Sequence, residues 1–313
     1  MNAKNSRVAI CLATYNGERF LEEQIQSIVS QSFLNWKLFI RDDGSSDGTL
    51  RIIKKFVQIY PEQIVDLSEL QGGGSSKNNF LTILEWVSEH ESFDYYMFSD
   101  QDDVWLPDKI ALSVKAIGVD SSPCLVHTDL KVVDESLNTI TNSFIQYSNL
   151  KPKKSDFAHI LIQNNVTGCT MLWNKSLNEL IDFHSNSRIL MHDWWIALLA
   201  ATFGTIVFVK TPTILYRQHN ENVVGAEAAG SLSYIISKMR NFKMIRRGLQ
   251  RTFEQAEYFK AVYYSRLNGS SQKLLNEYLR LPQESKPRRI CLSIKYGFMK
   301  QSVIQIIGQF VFV

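Results

Sequence analysis

The 313-residue chain is long enough for one large domain, or one domain and an appendage, and its 45% hydrophobic and 21% charged residues indicate a globular protein. Its four cysteines lie far apart and form no C-x-x-C pair, which argues against a disulfide framework or a zinc site and favours a reducing compartment. Neither a signal peptide nor a membrane-spanning helix is expected, because no apolar run is long enough.

The net charge of +3 is unevenly distributed along the chain. Residues 1–230 carry 19 Lys and Arg against 27 Asp and Glu, a net of −8, whereas residues 231–313 carry 15 against 4, a net of +11. The acidic part suits metal chemistry, and the basic part suits an anionic surface, either a membrane or a nucleic acid. This contrast predicts a boundary near residue 230.

The first hundred residues alternate buried strands with amphipathic helices. Strands are predicted at residues 7–14, 36–43 and 93–98, and helices at 18–31, from Leu50 onward and at 80–89, the last after a Gly-rich loop at 71–79. This order predicts a parallel sheet with right-handed crossovers, in which ligands bind beyond the carboxyl ends of the strands. Three polar motifs fall at those ends: Thr14–Asn16, Asp42–Asp43 and Asp100–Asp103.

The stretch FSDQDDVW at residues 98–105 places three aspartates within four positions directly after an apolar run. Alternate residues of an extended segment share a face, so Asp100 and Asp102 are expected to point the same way. Mg²⁺ and Mn²⁺ prefer carboxylate oxygens and are often shared with substrate phosphates. The cluster therefore predicts a metal ion that brings a diphosphate with it. The alternative is a solvated acidic turn before the helix that LPDKI begins, with Pro107 and Asp108 as its start.

Beyond residue 120 the pattern becomes less regular. PCLVHTDLKVVD predicts a strand or strand pair, NNVTGCTMLWNKSLNELI a strand leading into a helix, HDWWIALLAATFG a helix, and TIVFVKTPTILYRQH further strands. Residues 231–313 read as basic amphipathic helices, with Arg246, Arg247 and Arg251 beside Ile245, Leu249 and Phe253.

Three motifs in this order resemble those of a family 2 glycosyltransferase of the GT-A fold. They are VAICLATYNGERFLEEQIQSIVSQSF, then WKLFIRDDGSSDGT, then the D-Q-D-D run, and the resemblance continues more loosely to about residue 225 through VTGCTMLWN, HDWW and YRQHNENVVG. The form FSDQDDVWLPDKI, with HDWW further along, resembles bacterial rhamnosyltransferase-like members that build O-antigen and capsular polysaccharide.

The resemblance implies an α/β fold with a Rossmann-like, mostly parallel central sheet in a GT-A domain at residues 1–230. Residues 231–313 would form a basic helical extension. It implies inverting transfer of a sugar from a nucleoside-diphosphate donor, with Mg²⁺ or Mn²⁺ as cofactor. dTDP-rhamnose is favoured by the subfamily resemblance, and UDP-hexoses remain open.

The resemblance also implies roles for individual residues. Thr14 and Tyr15 would line the nucleotide-base pocket, Asp43 would hydrogen-bond the base and Asp100 would lie near the ribose. Asn16 and Gln101 are grouped with these donor-binding residues. Asp102 would ligate the metal, with Asp103 and His219 as further ligands, and Asp193 of HDWW would be the general base. Lys77 stands where an arginine is common, which leaves a phosphate-binding role for it open.

Asp193 also has a structural interpretation, as the N-cap of the helix that WWIALLAA forms. A buried carboxylate suits a general base because desolvation raises its pKa, and Trp194 and Trp195 are candidates for the apolar wall around it or for stacking on a sugar.

The expected partners are the donor, a lipid-linked oligosaccharide acceptor and an anionic membrane surface. The protein would then be cytoplasmic and peripheral on the inner membrane, with the basic helices lying on the lipid. Nucleic acid is not expected, because no recognition motif accompanies the charge. A solvated appendage and a dimer contact are alternatives for the basic region.

Two other functions remain as alternatives. A sugar-phosphate nucleotidyltransferase also uses an α/β sheet, a metal and carboxylates, but ATYNGERF lacks its basic Gly-rich phosphate loop after the first strand. A catalytically inactive module that binds a nucleotide sugar or a glycan is the other, and the presence of both Asp102 and Asp193 argues against it.

Overall fold

The computed structural model describes residues 6–71, 73–118, 120–184, 186–219 and 242–312. The predicted domain boundary at residue 230, the ENVVG end of the last motif and the first part of the predicted basic region lie outside these residues. A nine-stranded mixed sheet forms the centre of the described chain, and helices cover both of its faces.

The sheet places its strands in the order β3-β2-β1-β4-β8-β6-β9-β5, with β7 paired to β6. Neighbours β3, β2, β1 and β4 are parallel, as are β6 and β9, whereas β8 runs antiparallel between β4 and β6. The strands are β1 Val8–Thr14, β2 Trp36–Asp42, β3 Ile64–Asp66, β4 Tyr95–Ser99, β5 Val104–Trp105, β6 Cys124–Val133, β7 Thr139–Thr141, β8 Met171–Asn174 and β9 Thr205–Arg217.

The burial of β1 explains why residues 8–14 form a continuous apolar run rather than an alternating pattern. Its residues are buried on both faces, as in other parallel sheets covered by helices. Ala9 and Cys11 belong to one hydrophobic core, whereas Val8, Ile10 and Leu12 belong to the other. The two cores therefore lie on opposite sides of the sheet.

The helices divide between these two cores. Apolar side chains from α1, α2 and α4 enter the core that contains Val8, Ile10 and Leu12, and those from α3, α6, α8 and the C-terminal helices α9, α10 and α11 enter the core that contains Ala9 and Cys11. The helices are α1 Leu21–Val29, α2 Thr49–Ile59, α3 Ser76–His90, α4 Lys109–Ile117, α5 Phe144–Tyr147, α6 Phe157–Ile162, α7 Lys175–Asn178, α8 His192–Phe203, α9 Phe242–Tyr263, α10 Gly269–Arg280, α11 Lys286–Tyr296 and α12 Val303–Phe312.

Several predicted elements differ in extent from the observed ones. The three-residue strand β3 was not predicted, because a strand this short carries too little periodicity. Helix α3 begins at Ser76 rather than at residue 80, since the Ser75 hydroxyl caps it by accepting from the Asn78 amide. The region predicted to form a strand or a strand pair is the single strand β6, and the region predicted to form further strands is one long strand, β9. The pairing of β6 with β9 contains register shifts.

The C-terminal helices share the core of the sheet domain. Phe259 and Tyr263 of α9 pack on Trp195 of α8 with ring centroids 5.7 and 6.0 Å apart. Phe298 is completely buried in the same core. Residues 242–312 therefore are not a solvated appendage. Among the described residues, none of the helices has the length and apolarity to cross a membrane.

Candidate functional site

A cavity of about 920 Å³ opens at the carboxyl ends of β1, β2 and β4, where the sequence predicts a site. Nine of the ten predicted site residues line it: Thr14, Tyr15, Asn16, Asp43, Asp100, Gln101, Asp102, Asp193 and His219. Asp103, the tenth, is fully buried behind the cavity wall. Residues separated by up to 205 positions in the chain thus meet in one concave surface.

Gln101 fixes the backbone at the end of β1. Its Oε1 accepts from the Thr14 hydroxyl at 2.6 Å and from the Tyr15 amide at 2.9 Å, and its Nε2 donates to the Tyr15 carbonyl at 3.1 Å. The side-chain amide therefore holds the main chain one residue beyond the end of β1. Tyr15 itself remains 58% exposed and presents its ring to the cavity.

Asn16 connects the end of β1 to the turn after β2. It has a positive φ of 47°, a conformation that asparagine tolerates better than most residues. Its amide donates to the Ser45 hydroxyl at 2.7 Å, and its side-chain oxygen accepts from the Ser46 amide at 2.9 Å. Asp42 stabilises the same turn, because its carboxylate accepts from the amides of Gly44 and Ser45. Asp42 is thus a turn residue, whereas the adjacent Asp43 lines the cavity.

Asp43 is held on two sides. Its Oδ1 accepts from the buried Arg41 guanidinium at 3.0 Å, and its Oδ2 accepts from the Gly74 amide at 2.7 Å. Gly73 has a φ of +99°, and a Cβ there would lie 1.7 Å from the Asp43 Oδ1. Both the backbone conformation and the close approach of Asp43 require glycine at this position.

The three aspartates of the quoted stretch form an acidic group at the end of β4. Burial and the neighbouring charge of Asp102 raise the pKa of Asp100 to about 7. The same causes, burial first, raise the pKa of Asp103 well above its usual range. Both pKa values rise because the carboxyls are desolvated and because neighbouring carboxylates repel one another. A cation bound here would relieve that repulsion.

Asp102 pairs with a residue from the far end of the domain. Its Oδ2 lies 2.6 Å from Nε2 of His219, and both side chains are nearly buried, with 14% and 6% exposure. The His219 ring also packs on Phe20 with centroids 5.2 Å apart. The structure thus brings together two of the three predicted metal ligands at the cavity surface.

Asp103 contacts the buried backbone amide of Arg217 and does not line the cavity. Its Oδ1 accepts from the Arg217 amide at 3.2 Å, and its Oδ2 has no hydrogen-bond partner in the described part of the chain. Asp100, Asp103 and Cys169 place one potential ligand atom each within 4.8 Å of one another. Burial and the adjacent carboxylates raise the pKa of the Cys169 thiol well above its usual range, so this thiol is a poor ligand for a hard cation.

The buried Arg217 side chain supports the loop that carries Asp100, Asp102 and Asp103. The side chain is only 2% exposed, and its Nε donates to the Asp102 carbonyl at 2.9 Å. Other guanidinium nitrogens donate to the Glu135 carbonyl and to the Glu23 carboxylate of α1. The Phe20 ring lies below the guanidinium, with 4.5 Å from its carbon to the ring centroid. Arg217 was not among the predicted site residues, although it lies in the YRQH motif.

Asp193 also lines the cavity. It lies in the first turn of α8, and its Oδ1 accepts from the Trp194 amide at 2.6 Å. Burial raises the pKa of its carboxyl to about 6, and backbone N–H groups of Trp194 and Gly168 partly oppose that rise. A carboxyl with this pKa is largely ionised at neutral pH and remains basic enough to accept a proton.

The interpretation of Asp193 as an N-cap is wrong, because α8 begins at His192 and its N-cap is Met191. The two tryptophans do not line the cavity either. Trp195 is fully buried against α9, and Trp194 donates its indole N–H to the Ile160 carbonyl at 2.6 Å. The surroundings of Asp193 instead come from the Thr167–Gly168 segment, His192 and Met191.

Lys77 is turned away from the cavity. Its amino group donates to the Ile189 carbonyl at 2.9 Å, and burial lowers its pKa. At the entry to α3 the cavity is lined instead by Gly74, Ser75 and Ser76. A buried Asn79 joins this helix to the site, because its amide donates to the carbonyls of Thr14 and Arg41. The sequence around Asn79 does not indicate this role, because an asparagine within a helix has no distinctive pattern.

The fold matches that of GT-A glycosyltransferases. The mannosyltransferase PcManGT from Pyrobaculum calidifontis, in complex with GDP-Man and Mn²⁺, aligns with a TM-score of 0.54 at 17% identity over 93% of this chain and 73% of that one. S. aureus TarS 1–349 in complex with UDP-GlcNAc aligns with a TM-score of 0.51 at 14% identity, over 91% and 83%. At these identities the likeness is one of fold.

The chain belongs to the family described as Glycosyl transferase family 2, whose profile matches residues 9–181. The dTDP-rhamnosyl transferase RfbG of Shigella flexneri is 33% identical over 232 residues, which are 71% of this chain and 76% of RfbG. The UDP-Glc:alpha-D-GlcNAc-diphosphoundecaprenol beta-1,3-glucosyltransferase WfgD of Escherichia coli is 24% identical over 177 residues, 56% of this chain and 63% of WfgD. The expected family and fold class are confirmed.

Proposed function

We propose that this transferase is an inverting, metal-dependent glycosyltransferase that moves a sugar from a nucleoside-diphosphate donor to a lipid-linked oligosaccharide. The observation that carries the proposal is the arrangement of the cavity. Asp100, Asp102 and His219 line the same cavity as Asp193, a separate carboxyl of raised pKa. Inversion needs these two functions on opposite faces of the anomeric carbon.

The donor half of the cavity is formed by the ends of β1 and β2. The exposed Tyr15 ring is suited to stack on a nucleobase, and Asp43 is suited to accept a hydrogen bond from a base N–H. Arg41 and the Gly74 amide hold the Asp43 carboxylate in place. Thr14, Asn16, Asp100 and Gln101 complete the donor-binding set.

Asp102 and His219 are the residues that would hold Mg²⁺ or Mn²⁺, with Asp100 and Asp103 as the carboxylates behind them. The fit rests on the concentration of oxygen ligands, on the raised pKa values of Asp100 and Asp103 and on the unpartnered Asp103 Oδ2. A bound metal would stabilise the negative charge of the leaving diphosphate. Cys169 is left out of the proposed ligand set, since Mg²⁺ and Mn²⁺ prefer oxygen ligands to a thiol.

Asp193 is the proposed base that removes the proton of the acceptor hydroxyl. Its carboxylate is held by the Trp194 N–H and packed near Gly168, where a Cβ would lie 3.4 Å from that of Asp193. A Cβ at residue 168 would also lie 3.0 Å from the His192 Nε2, so glycine lets this segment pack closely beside the Asp193 carboxyl. As the hydroxyl attacks the anomeric carbon, its proton passes to Asp193 and the bond to the diphosphate breaks.

The choice of donor and acceptor rests on similarity. RfbG is a dTDP-rhamnosyl transferase, which favours dTDP-rhamnose, and WfgD uses UDP-glucose, which keeps UDP-hexoses as the second candidate. WfgD acts on a diphosphoundecaprenol-linked sugar, which supports a lipid-linked acceptor in surface polysaccharide synthesis. Such an acceptor would place the protein at the cytoplasmic face of the inner membrane.

Calorimetric titration with a panel of nucleotide sugars, each with Mn²⁺ and with chelator, tests the donor site. Binding of dTDP-rhamnose or a UDP-hexose that requires Mn²⁺, and that Asp102→Asn abolishes, is the expected result. Incubation of the preferred donor with a lipid-linked acceptor, followed by NMR of the new linkage, tests inversion. Metal-dependent binding without transfer would favour an inactive binding module, and formation of a nucleotide sugar from a sugar phosphate would favour a nucleotidyltransferase.

A further inference from the structure

Helix α12, Val303–Phe312, has an inverted distribution of polarity and contains no charged residue. Its glutamines turn toward the protein, whereas four aliphatic side chains face solvent. Val303, Ile304, Ile307 and Val311 are 67%, 37%, 59% and 54% exposed. At about 100° per residue these positions fall within roughly a quarter to a third of the helix circumference, so they form one face.

The inward polar contacts fix the rotation of this helix. Gln309 is 2% exposed, its Nε2 donates to the Phe298 carbonyl at 2.6 Å, and its Oε1 accepts from the Lys300 amide at 2.9 Å. Just before the helix, the buried Gln301 accepts from the Lys151 amide at 2.7 Å. Turning the aliphatic face inward would break these bonds, so the exposure is built into the packing.

The segment that carries the aliphatic face is rich in cations, one of which, Arg288, pairs with Glu284 at 3.1 Å. Residues 286–312 contain five cationic side chains and no acidic one: Lys286, Arg288, Arg289, Lys295 and Lys300. Lys286 of α11 donates to the Val311 carbonyl at 3.0 Å, which brings the start of the basic helix to the end of the aliphatic one. Helix α11 also exposes Ile294, at 57%.

We propose that the aliphatic face of α12, with the cations of α11, is a docking surface for a membrane that contains anionic phospholipid. Aliphatic side chains would enter the boundary between headgroups and acyl chains, and the cations would contact lipid phosphates. A second copy of this chain fits less well, because pairing two such faces would bring like charges together. The proposal deepens the membrane location inferred above and does not depend on sugar transfer.

Docking through α12 would also orient the catalytic cavity. Gln301 and Gly297 pack on the segment that holds α6, through Lys151, Gln163 and Ala158. That segment leads directly to Thr167 and Gly168, which line the cavity beside Asp193. The acceptor wall and the lipid-facing helix are thus connected by a short, packed stretch of chain.

Co-sedimentation with vesicles tests the surface. The full chain is mixed with vesicles of phosphatidylcholine alone or with added phosphatidylglycerol, without donor or metal. Binding is expected only with the anionic lipid, and the double variant Ile304→Gln with Ile307→Gln should weaken it about tenfold or more. The matched control is Ile59→Gln with Ile140→Gln, two isoleucines of similar exposure, 54% and 52%, that lie on other parts of the molecule. It should bind as the parent does.

Cys291 offers a second readout. It is the one exposed cysteine, since Cys11, Cys124 and Cys169 are buried, so an environment-sensitive dye would report on α11. A blue shift of its emission with anionic vesicles, which salt reduces, supports the proposal. Equal loss of binding in both double variants, or none in either, would overturn it, as would concentration-dependent dimerisation that Ile304→Gln with Ile307→Gln removes. Because donor titration needs no lipid, unchanged donor binding would show that only the docking surface had failed.

Discussion

Replacing Asp193 by asparagine should stabilise the protein while it abolishes turnover. The folded environment raises the pKa of this carboxyl from 3.8 to about 6, chiefly by burial. At about 1.4 kcal/mol per pKa unit, ionisation of Asp193 costs about 3 kcal/mol of folding free energy at pH 8. Asparagine has nearly the same shape and can still accept the Trp194 N–H, so it should recover much of that cost, about 1–3 kcal/mol.

The gain in stability expected for Asp193→Asn should depend on pH in a definite direction. A raised carboxyl pKa destabilises the folded state fully above about pH 6, and the penalty declines as the pH falls from there toward 3.8. Urea unfolding of both proteins should therefore show a stability difference at pH 8 that shrinks by about half at pH 5. Turnover with donor and acceptor should fall by several orders of magnitude, as for loss of a base that acts with other groups.

Asp156→Asn serves as a control, because it should lower the stability that Asp193→Asn is expected to raise. This carboxylate caps α6 and pairs with His159, and these contacts lower its pKa, so the substitution should reduce stability slightly. An Asp193→Asn protein that is less stable than the parent at pH 8, or a difference that does not change with pH, would refute the reasoning. Near-normal turnover in that variant would place the base elsewhere.

Three further predictions concern the donor half of the cavity. Asp102→Asn should keep the fold, by circular dichroism, and lose the dependence of donor binding on Mn²⁺ in calorimetry; donor affinity that still responds to Mn²⁺ would exclude Asp102 as a ligand. Gly73→Ala should weaken donor binding about tenfold or more by displacing Asp43, whereas Gly118→Ala, which has a similar positive φ and open space around its Cβ but does not line the cavity, should not; equal effects would mean that backbone strain alone matters. Arg217→Lys should raise the Mn²⁺ concentration needed for half-maximal turnover and destabilise the protein by about 1–3 kcal/mol; unchanged metal activation would limit Arg217 to a structural role.

The sequence is most informative about the site where a residue type follows directly from a strand. Tyr15, Asp43 and Asp102 could be grouped because the carboxyl ends of parallel strands share one edge, and this needs no knowledge of side-chain contacts. The same reasoning could not separate Asp43 from Asp42, or Asp102 from Asp103. Each pair lies side by side in the chain, and only the local turn decides which carboxylate reaches the cavity.

Contacts between distant segments could not be predicted in this way. Arg217 reaches the Asp102 carbonyl across 115 positions, and nothing in its own neighbourhood shows that its guanidinium turns inward. Trp194 and Trp195 looked suited to the site by residue type, yet packing against α9 and a bond to Ile160 take both away from it. The inverted polarity of α12 was also not apparent, since its sequence alone does not show which side of the helix faces the protein.

The hydrogen bonds of Gln101 have a consequence for how such an enzyme can change its donor. This side chain holds both the amide and the carbonyl of Tyr15, whereas the Tyr15 side chain is 58% exposed. If residue 15 contacts the nucleobase as proposed, new nucleotide preferences could arise by exchanging this one outward side chain while the main-chain hydrogen bonds of Gln101 are kept. Laboratory evolution of donor choice would begin at residue 15 and leave Gln101 unchanged.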